Sequence, residues 1–276
     1  MLFKYAEKLG STRMATSEWG IWNPQRQAFD DVSFVEGLNR LPALVGSIPQ
    51  ESLTNLPMPV SASFGGTKII CVGRNYRPHV QELGNEIPRE PLWFTKPPSS
   101  LLEHQGVVRL PEGFGRIDYE GEMAIVIGRR ARHVTADKAL PFIAGVTLAL
   151  DITARELQKS DGQWTRAKGF DTFCPLGPVI LPFEQGWLDC SLTTTLNGNL
   201  VQKDRLSSLI FSVQKLIEHV SACMTLEVGD VLLTGTPAGV GPLKPGDHLT
   251  VEAEGPMRLS LSVSVEKEND VREKGG

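Results

Sequence analysis

Asp118-Tyr-Glu-Gly-Glu-Met-Ala-Ile-Val-Ile127 alternates in polarity and is rich in Ile and Val, so it reads as a β-strand over Tyr119–Gly128. Side chains alternate across a strand, which would put Asp118, Glu120 and Glu122 on one face, with Ala124 and Val126 continuing it inward. Carboxylates grouped at the mouth of an apolar strand repel one another and resist burial unless a cation compensates. Hard divalent ions such as Mg2+ or Mn2+ take oxygen ligands of this kind. A further carboxylate is available at Asp151, where the apolar run Phe142–Leu150 gives way to a helical pattern. The plain alternative is a solvated acidic edge.

Working outward, Lys68-Ile-Ile-Cys-Val-Gly73 is a short buried strand ended by glycine, and Arg74–Glu82 is a loop running into a short helix. Thr153-Ala-Arg-Glu156 has a capping-box pattern and predicts a helix start. Pro178–Pro182, Cys190–Asn197, Val231–Thr234 and His248–Glu254 read as strands, with a hairpin at Asn197-Gly198. Ser208–Met224 is the clearest helix, with Ile210, Val213, Ile217 and Val220 at helical spacing. Strands outnumber helices, and their order lacks the regular β-α alternation of doubly wound or barrel folds. Ahead of this body, Thr12–Trp22 reads as strands and Phe34–Leu41 as a brief helix. Leu53–Gly66 is a linker rich in Pro and Ser, and 1–62 a small N-terminal subdomain preceding a domain over 63–276. The alternative is that the first segment forms one edge of a single domain.

The 276 residues carry 28 basic and 32 acidic side chains, a net charge of −4, which argues against a nucleic-acid or anionic-membrane partner. Cys71, Cys174, Cys190 and Cys223 form no closely spaced pair, so they read as reduced thiols, which suits a cytoplasmic protein, and not as a zinc site. Met1-Leu-Phe-Lys-Tyr-Ala-Glu-Lys8 carries early charges, so neither a signal peptide nor a membrane anchor is expected. No serine-nucleophile elbow, HExxH, phosphate loop or dinucleotide fingerprint occurs.

Two further segments carry polar chemistry. His79 and Glu82 are three apart and share a face on a helical turn, so the carboxylate could orient the imidazole as a base for water. A surface pair is the bland reading of the same spacing. Arg155 and Gln158 share a helical face, and Arg155 with Lys168 could bind an anionic substrate. Thr234-Gly-Thr-Pro-Ala-Gly239 offers hydroxyl and N–H groups to an oxyanion, or is a plain turn. His104, His133, His219 and His248 have no such setting.

Six pieces in this order resemble the fumarylacetoacetate hydrolase family: Lys68-Ile-Ile-Cys-Val-Gly-Arg-Asn-Tyr76 with His79 and Glu82, Pro91–Lys96, Asp118–Glu122, Leu150–Arg155, Lys168–Gly177 and Leu233–Gly241. The resemblance implies an α+β, β-rich fold with a mixed, rolled sheet and few helices, a small N-terminal subdomain and a homodimer. It implies a metal site of Glu120, Glu122 and Asp151 for Mg2+ or Mn2+, leaving out Asp118, which strand parity alone would include. It also implies catalytic His79 and Glu82, with Lys168 in the chemistry, and a substrate pocket of Arg74, Tyr76, Arg155, Gln158 and Thr236. Arg74 before Asn75, and Ser207–Ser212, resemble the acylpyruvase and oxaloacetate decarboxylase branch. The expected function is metal-dependent cleavage of a carbon–carbon bond in a small anionic 2-oxo acid through an enolate. Isomerases or decarboxylases of 2-hydroxyhepta-2,4-diene-1,7-dioate, and related hydratases, share nearly the same metal motif. A metal-binding module without catalysis is a third reading. The stretch from His79 to Arg89, polar and carrying Gly84, is expected to be a mobile lid without apolar anchors.

Overall fold

The computed structural model describes residues 2–5, 18–23, 28–31 and 68–268. The apolar runs at Ile69–Gly73, Gly121–Ile127, Ile143–Leu150 and Val231–Leu233 become strands of a ten-stranded mixed sheet. It comprises β1 (Leu2–Tyr5), β2 (Glu18–Asn23), β3 (Ala28–Asp31), β4 (Ile69–Gly73), β5 (Leu92–Lys96), β6 (Leu101–Leu102), β9 (Gly121–Ile127), β10 (Ile143–Leu150), β12 (Cys174–Pro182) and β15 (Val231–Leu233). Its order is β3-β2-β1-β12-β10-β9-β15-β4-β5, with β6 beside β12, and only β15–β4 and β12–β6 are parallel. A five-stranded sheet of β7 (Val107–Leu110), β13 (Ser191–Leu196), β14 (Asn199–Arg205), β17 (His248–Glu254) and β18 (Arg258–Lys267) packs on it. A small third sheet joins β8 (Ile117–Tyr119), β11 (Thr153–Ala154) and β16 (Gly241–Pro242). Four α-helices are present among the described residues: α1 (Arg77–Glu82), α2 (Arg155–Ser160), α3 (Thr165–Lys168) and α4 (Val213–Cys223). No described helix is long and apolar enough to cross a membrane.

Every residue of β9 and β10 is buried. Both faces are covered, which is why these strands read as near-continuous apolar runs. Met123, Ile125 and Ile127 face the main core between the sheets, whereas Ala124 and Ala149 face a smaller cluster with Ile69, Cys71, Cys174 and Leu233. Each large aliphatic side chain so buried contributes roughly 1.5–3 kcal/mol relative to exposure. Glu122 and Asp151 share the parity of Ala124 and Ala149, so both open onto the smaller face. The β9–β10 register sets Glu122 opposite Ala149, and the Asp151 N–H donates to Glu120 O at 2.8 Å.

Several expectations need correction. The acidic strand is not continuous, because Glu120 interrupts it between β8 and β9. Thr153 does not cap a helix: it lies in β11 with its hydroxyl on Asp151 O, and α2 begins at Arg155. The long helix starts at Val213, where the Ser212 hydroxyl accepts from the Lys215 N–H, and Ile210 lies outside it. The predicted helix at Phe34–Leu41 and the linker at Leu53–Gly66 lie outside the described residues, as do most of 1–62.

Candidate active site

Glu120, Glu122 and Asp151 are buried, and each offers a carboxylate oxygen within 4.8 Å of the others. Their surroundings are a buried ionic network. The Lys96 ammonium donates to Asp151 Oδ1 at 2.6 Å, and the Lys168 ammonium donates to Asp151 Oδ2 at 2.5 Å, Glu120 Oε2 at 3.0 Å and Thr153 Oγ1 at 2.8 Å. Arg155 spreads its three nitrogens over Asp118 (2.8 Å), Glu120 (2.5 Å) and Gln158 (2.9 Å). Asp118 accepts a further pair of bonds from Arg116. Asp118 thus orients Arg155 and stays outside the carboxylate trio, which is why parity alone overcounted the cluster. Removing a partner from such a buried pair costs about 3–5 kcal/mol, because the remaining charge has no solvent.

Glu122 is the exception. Among the described residues it has no ion pair, and its carboxylate is held by the Gly235 N–H at 2.7 Å. Burial, then the charges of Asp151 and Glu120, push its pKa well up. Burial also works against the Glu120 carboxylate, but Lys168 and Arg155 outweigh it and hold that group well below the usual range. Lys168 stays charged because Asp151 and Glu120 overcome its own desolvation. A buried carboxylate with no matching cation, beside two others, fits a divalent cation: Glu120, Glu122 and Asp151 could each give one oxygen to Mg2+ or Mn2+ and leave positions for water and substrate.

Above this floor lies a cavity of about 530 Å³, lined among others by Arg74, His79, Glu82, Glu120, Glu122, Arg155, Gln158, Trp164, Lys168 and Thr236. His79 is 4% exposed, and its Nδ1 lies 3.3 Å from Glu82 Oε2, on the short helix α1. With Nδ1–H turned to the carboxylate, Nε2 is the basic nitrogen. Glu82 also accepts from the Gly239 N–H, at 3.0 Å and 3.2 Å. Arg74 is in the left-handed region (φ 57°), at a cost of roughly 1–2 kcal/mol for a residue with a Cβ. Its guanidinium carbon lies 5.9 Å from the centroid of the Trp164 ring, and the Lys168 ammonium lies 5.9 Å from the same centroid.

Of the expected pocket residues, Arg74, Arg155, Gln158 and Thr236 reach the cavity, although the Thr236 hydroxyl is engaged with Gly121 O at 2.9 Å. Tyr76 does not line it: it is fully buried, and its hydroxyl has no hydrogen-bond partner among the described residues. Lys96, Asn75, Trp164 and Gln202 were missed. Lys96 alternates with Phe94, which packs on the smaller apolar cluster, and this spacing is the signal that could have found it. Asn75 fastens Phe211 and Thr234 O to the start of the wall, a long-range role with no local mark.

Comparison with known proteins agrees with this geometry. Residues 68–264 match the family model described as fumarylacetoacetate (FAA) hydrolase C-terminal. The mitochondrial oxaloacetate tautomerase FAHD1 of Arabidopsis thaliana is 44% identical over 203 residues, covering 72% of this chain and 91% of that protein. The mitochondrial oxaloacetate decarboxylase of Dictyostelium discoideum is 45% identical over 187 residues, covering 66% and 86%. Among solved structures, 5-carboxymethyl-2-hydroxymuconate delta-isomerase from Mycobacterium smegmatis superposes with a TM-score of 0.68 at 42% identity, covering 74% of this chain and 80% of that one. With the mixed sheet and the buried acidic trio at the ends of its central strands β9 and β10, these matches establish that the chain belongs to the fumarylacetoacetate hydrolase family.

Proposed function

We propose that this protein is a divalent-metal-dependent enzyme that cleaves a carbon–carbon bond in a small 2-oxo acid, as an acylpyruvate hydrolase, an oxaloacetate decarboxylase or both. The observation that carries the reading is Glu122: a buried carboxylate with no ion pair among the described residues, beside Glu120 and Asp151, under a cavity that also holds His79, Glu82 and Lys168. A cation held by the three carboxylates would supply positive charge next to the 2-oxo and carboxylate oxygens of the substrate. Lys168 adds a fixed ammonium where negative charge develops as the bond to C3 breaks, and fixed charge in a dry site is the term that usually dominates catalysis. For an acylpyruvate, His79 Nε2 takes a proton from water as the water oxygen adds to the distal carbonyl, and Glu82 stabilises the imidazolium. The C–C bond then breaks to give a carboxylic acid and the enolate of pyruvate, which takes up a proton at carbon. For oxaloacetate, carbon dioxide leaves from C4 and no water is needed. Arg74, Gln158 and Arg155 orient the anionic substrate in this scheme.

The second reading is proton transfer along a dienoate or between keto and enol forms, favoured by the 42% identity to the Mycobacterium smegmatis isomerase and the 44% identity to the plant tautomerase. A homodimer acting in the cytoplasm belongs to the same proposal, and light scattering tests its oligomeric part. The deciding experiment follows acetylpyruvate, oxaloacetate and a 2-hydroxydienedioate with purified protein, with Mg2+ and after chelation. Product formation from either 2-oxo acid that chelation abolishes supports the main reading. Turnover of the dienoate or of the enol alone replaces it with the second.

A further inference from the structure

Gln202 connects the two halves of the site from outside the cavity. It lies on β14, one of the two edge strands of the five-stranded sheet, and is the one buried residue of that strand, at 1% exposed. Burying an amide is costly unless its hydrogen bonds are remade. Here they are: Oε1 accepts from the Gly121 N–H at 3.0 Å, and Nε2 donates to Thr236 Oγ1 and to Pro237 O, both at 2.8 Å. Thr236 Oγ1 donates in turn to Gly121 O, closing a ring of hydrogen bonds through Gly121, Gln202 and Thr236.

The backbone around the amide is shaped for this contact. Thr194 pairs with Gln202 and Thr195 with Leu200, so Val201 is the extra residue of a β-bulge. Bulges re-aim the neighbouring side chain, and they recur beside active sites. Gly239 (φ 101°) packs against the bulge so closely that a Cβ there would overlap Val201 O. Gly121 has no room for a Cβ either, because Thr194 Oγ1 occupies its place.

What the ring holds is the site. Gly121 separates Glu120 from Glu122. The Thr234–Gly239 loop grips Glu122 through the Gly235 N–H at one end and Glu82 through the Gly239 N–H at the other. Gln202 fastens the middle of this loop, at Thr236 and Pro237, to the strand between the two glutamates. We propose that Gln202 is a positioning residue that sets the distance between the carboxylate trio and the His79–Glu82 pair by bracing the Thr234–Gly239 loop against Gly121. The consequence for catalysis rests on the function proposed above, whereas the brace itself needs no cation.

The test is Gln202→Met, which keeps side-chain length and removes every hydrogen bond. Amide exchange on the metal-free protein, followed by mass spectrometry, should be about tenfold faster for peptides spanning Gly121 and Gly235–Gly239, with β17 and β18 unchanged. Mn2+ affinity, measured by calorimetry, should fall about tenfold or more, as for other residues that orient metal ligands. For oxaloacetate, kcat should fall more than KM rises. Parent-like exchange in the loop, or acceleration spread evenly over β17 and β18, would overturn the brace and leave Gln202 as packing between the sheets. If Gln202→Met does not fold, Thr236→Val, which removes one leg, carries the exchange measurement, and unchanged exchange at Gly121 and Gly235 overturns the brace. Absence of Mn2+ binding by the parent would instead sink the proposed metal site, and the exchange arm would still decide the brace.

Discussion

The floor and the wall of the cavity are built by opposite means. The floor is two strands buried along their whole length, with Glu120 and Asp151 at one end neutralised by Lys96, Lys168 and Arg155 and Glu122 left without an ion pair among the described residues. The wall is the six-residue helix α1 and the exposed stretch after it, where Leu83 and Ile87 are each 41% exposed. The same residue type behaves differently in the two places. Glu122 on the floor pays for burial with a strongly raised pKa, while Glu82 on the wall is one-third exposed and accepts a backbone N–H. In the function proposed above, charge on the floor is therefore a question of stability and cation binding, and charge on the wall a question of proton transfer.

The strongest break of this contrast is Glu122→Gln. It should depress acylpyruvate hydrolysis and oxaloacetate decarboxylation together by about a hundredfold to a thousandfold, the scale of losing one electrostatic element. The same variant should be more stable than the parent without metal, by about 1–3 kcal/mol at pH 8. The sign follows from the raised pKa. The stability associated with protonated Glu122 is fully present below the unfolded carboxylate value and is lost as pH rises through the folded one. The gap in melting temperature between variant and parent, measured in chelator, should therefore be wide at pH 8 and narrow toward pH 5. A variant that melts below the parent at pH 8 would remove Glu122 as the uncompensated charge.

On the wall, His79→Ala or Glu82→Gln should lower acylpyruvate hydrolysis by about a hundredfold, the usual scale of a general base. Oxaloacetate decarboxylation should suffer less, since no water is activated. Both activities are measured on the same variants at saturating Mg2+. Equal loss of both, with Mn2+ affinity intact, would assign His79 to substrate placement and favour the isomerase reading.

The smallest effect concerns motion. Val80 is fully buried and His79 nearly so, which anchors α1 and corrects the expectation of a lid without apolar anchors. Slower amide exchange on adding oxalate with Mg2+ should thus be confined to 83–90 and be weak within α1 itself. Equal exchange with and without oxalate would make this wall static.

Much of the floor was legible because strand alternation is local. Glu120, Glu122, His79, Glu82, Arg155 and Gln158 could each be placed from spacings of two or three residues. Parity failed at Asp118 because the chain breaks at Glu120, which no residue type in that segment announces. The helix starts were misread for a related reason. Thr153 has the composition of a cap, but its hydroxyl goes to Asp151 O once β11 pairs with β8.

The sequence by itself determined that this chain carries an acidic strand, a His–Glu turn and a basic helix in an order that resembles one enzyme family. Short-range periodicity and residue chemistry suffice for that. Only the tertiary structure decided which carboxylate forms no ion pair among the described residues. Lys96, Lys168 and Arg155 reach Asp151 and Glu120 from 55, 17 and 35 residues away, and Glu122 is met by a backbone N–H from 113 residues away. Such pairings depend on sheet register and loop placement, and their energies exist only where the fold has excluded water, so no local pattern encodes them.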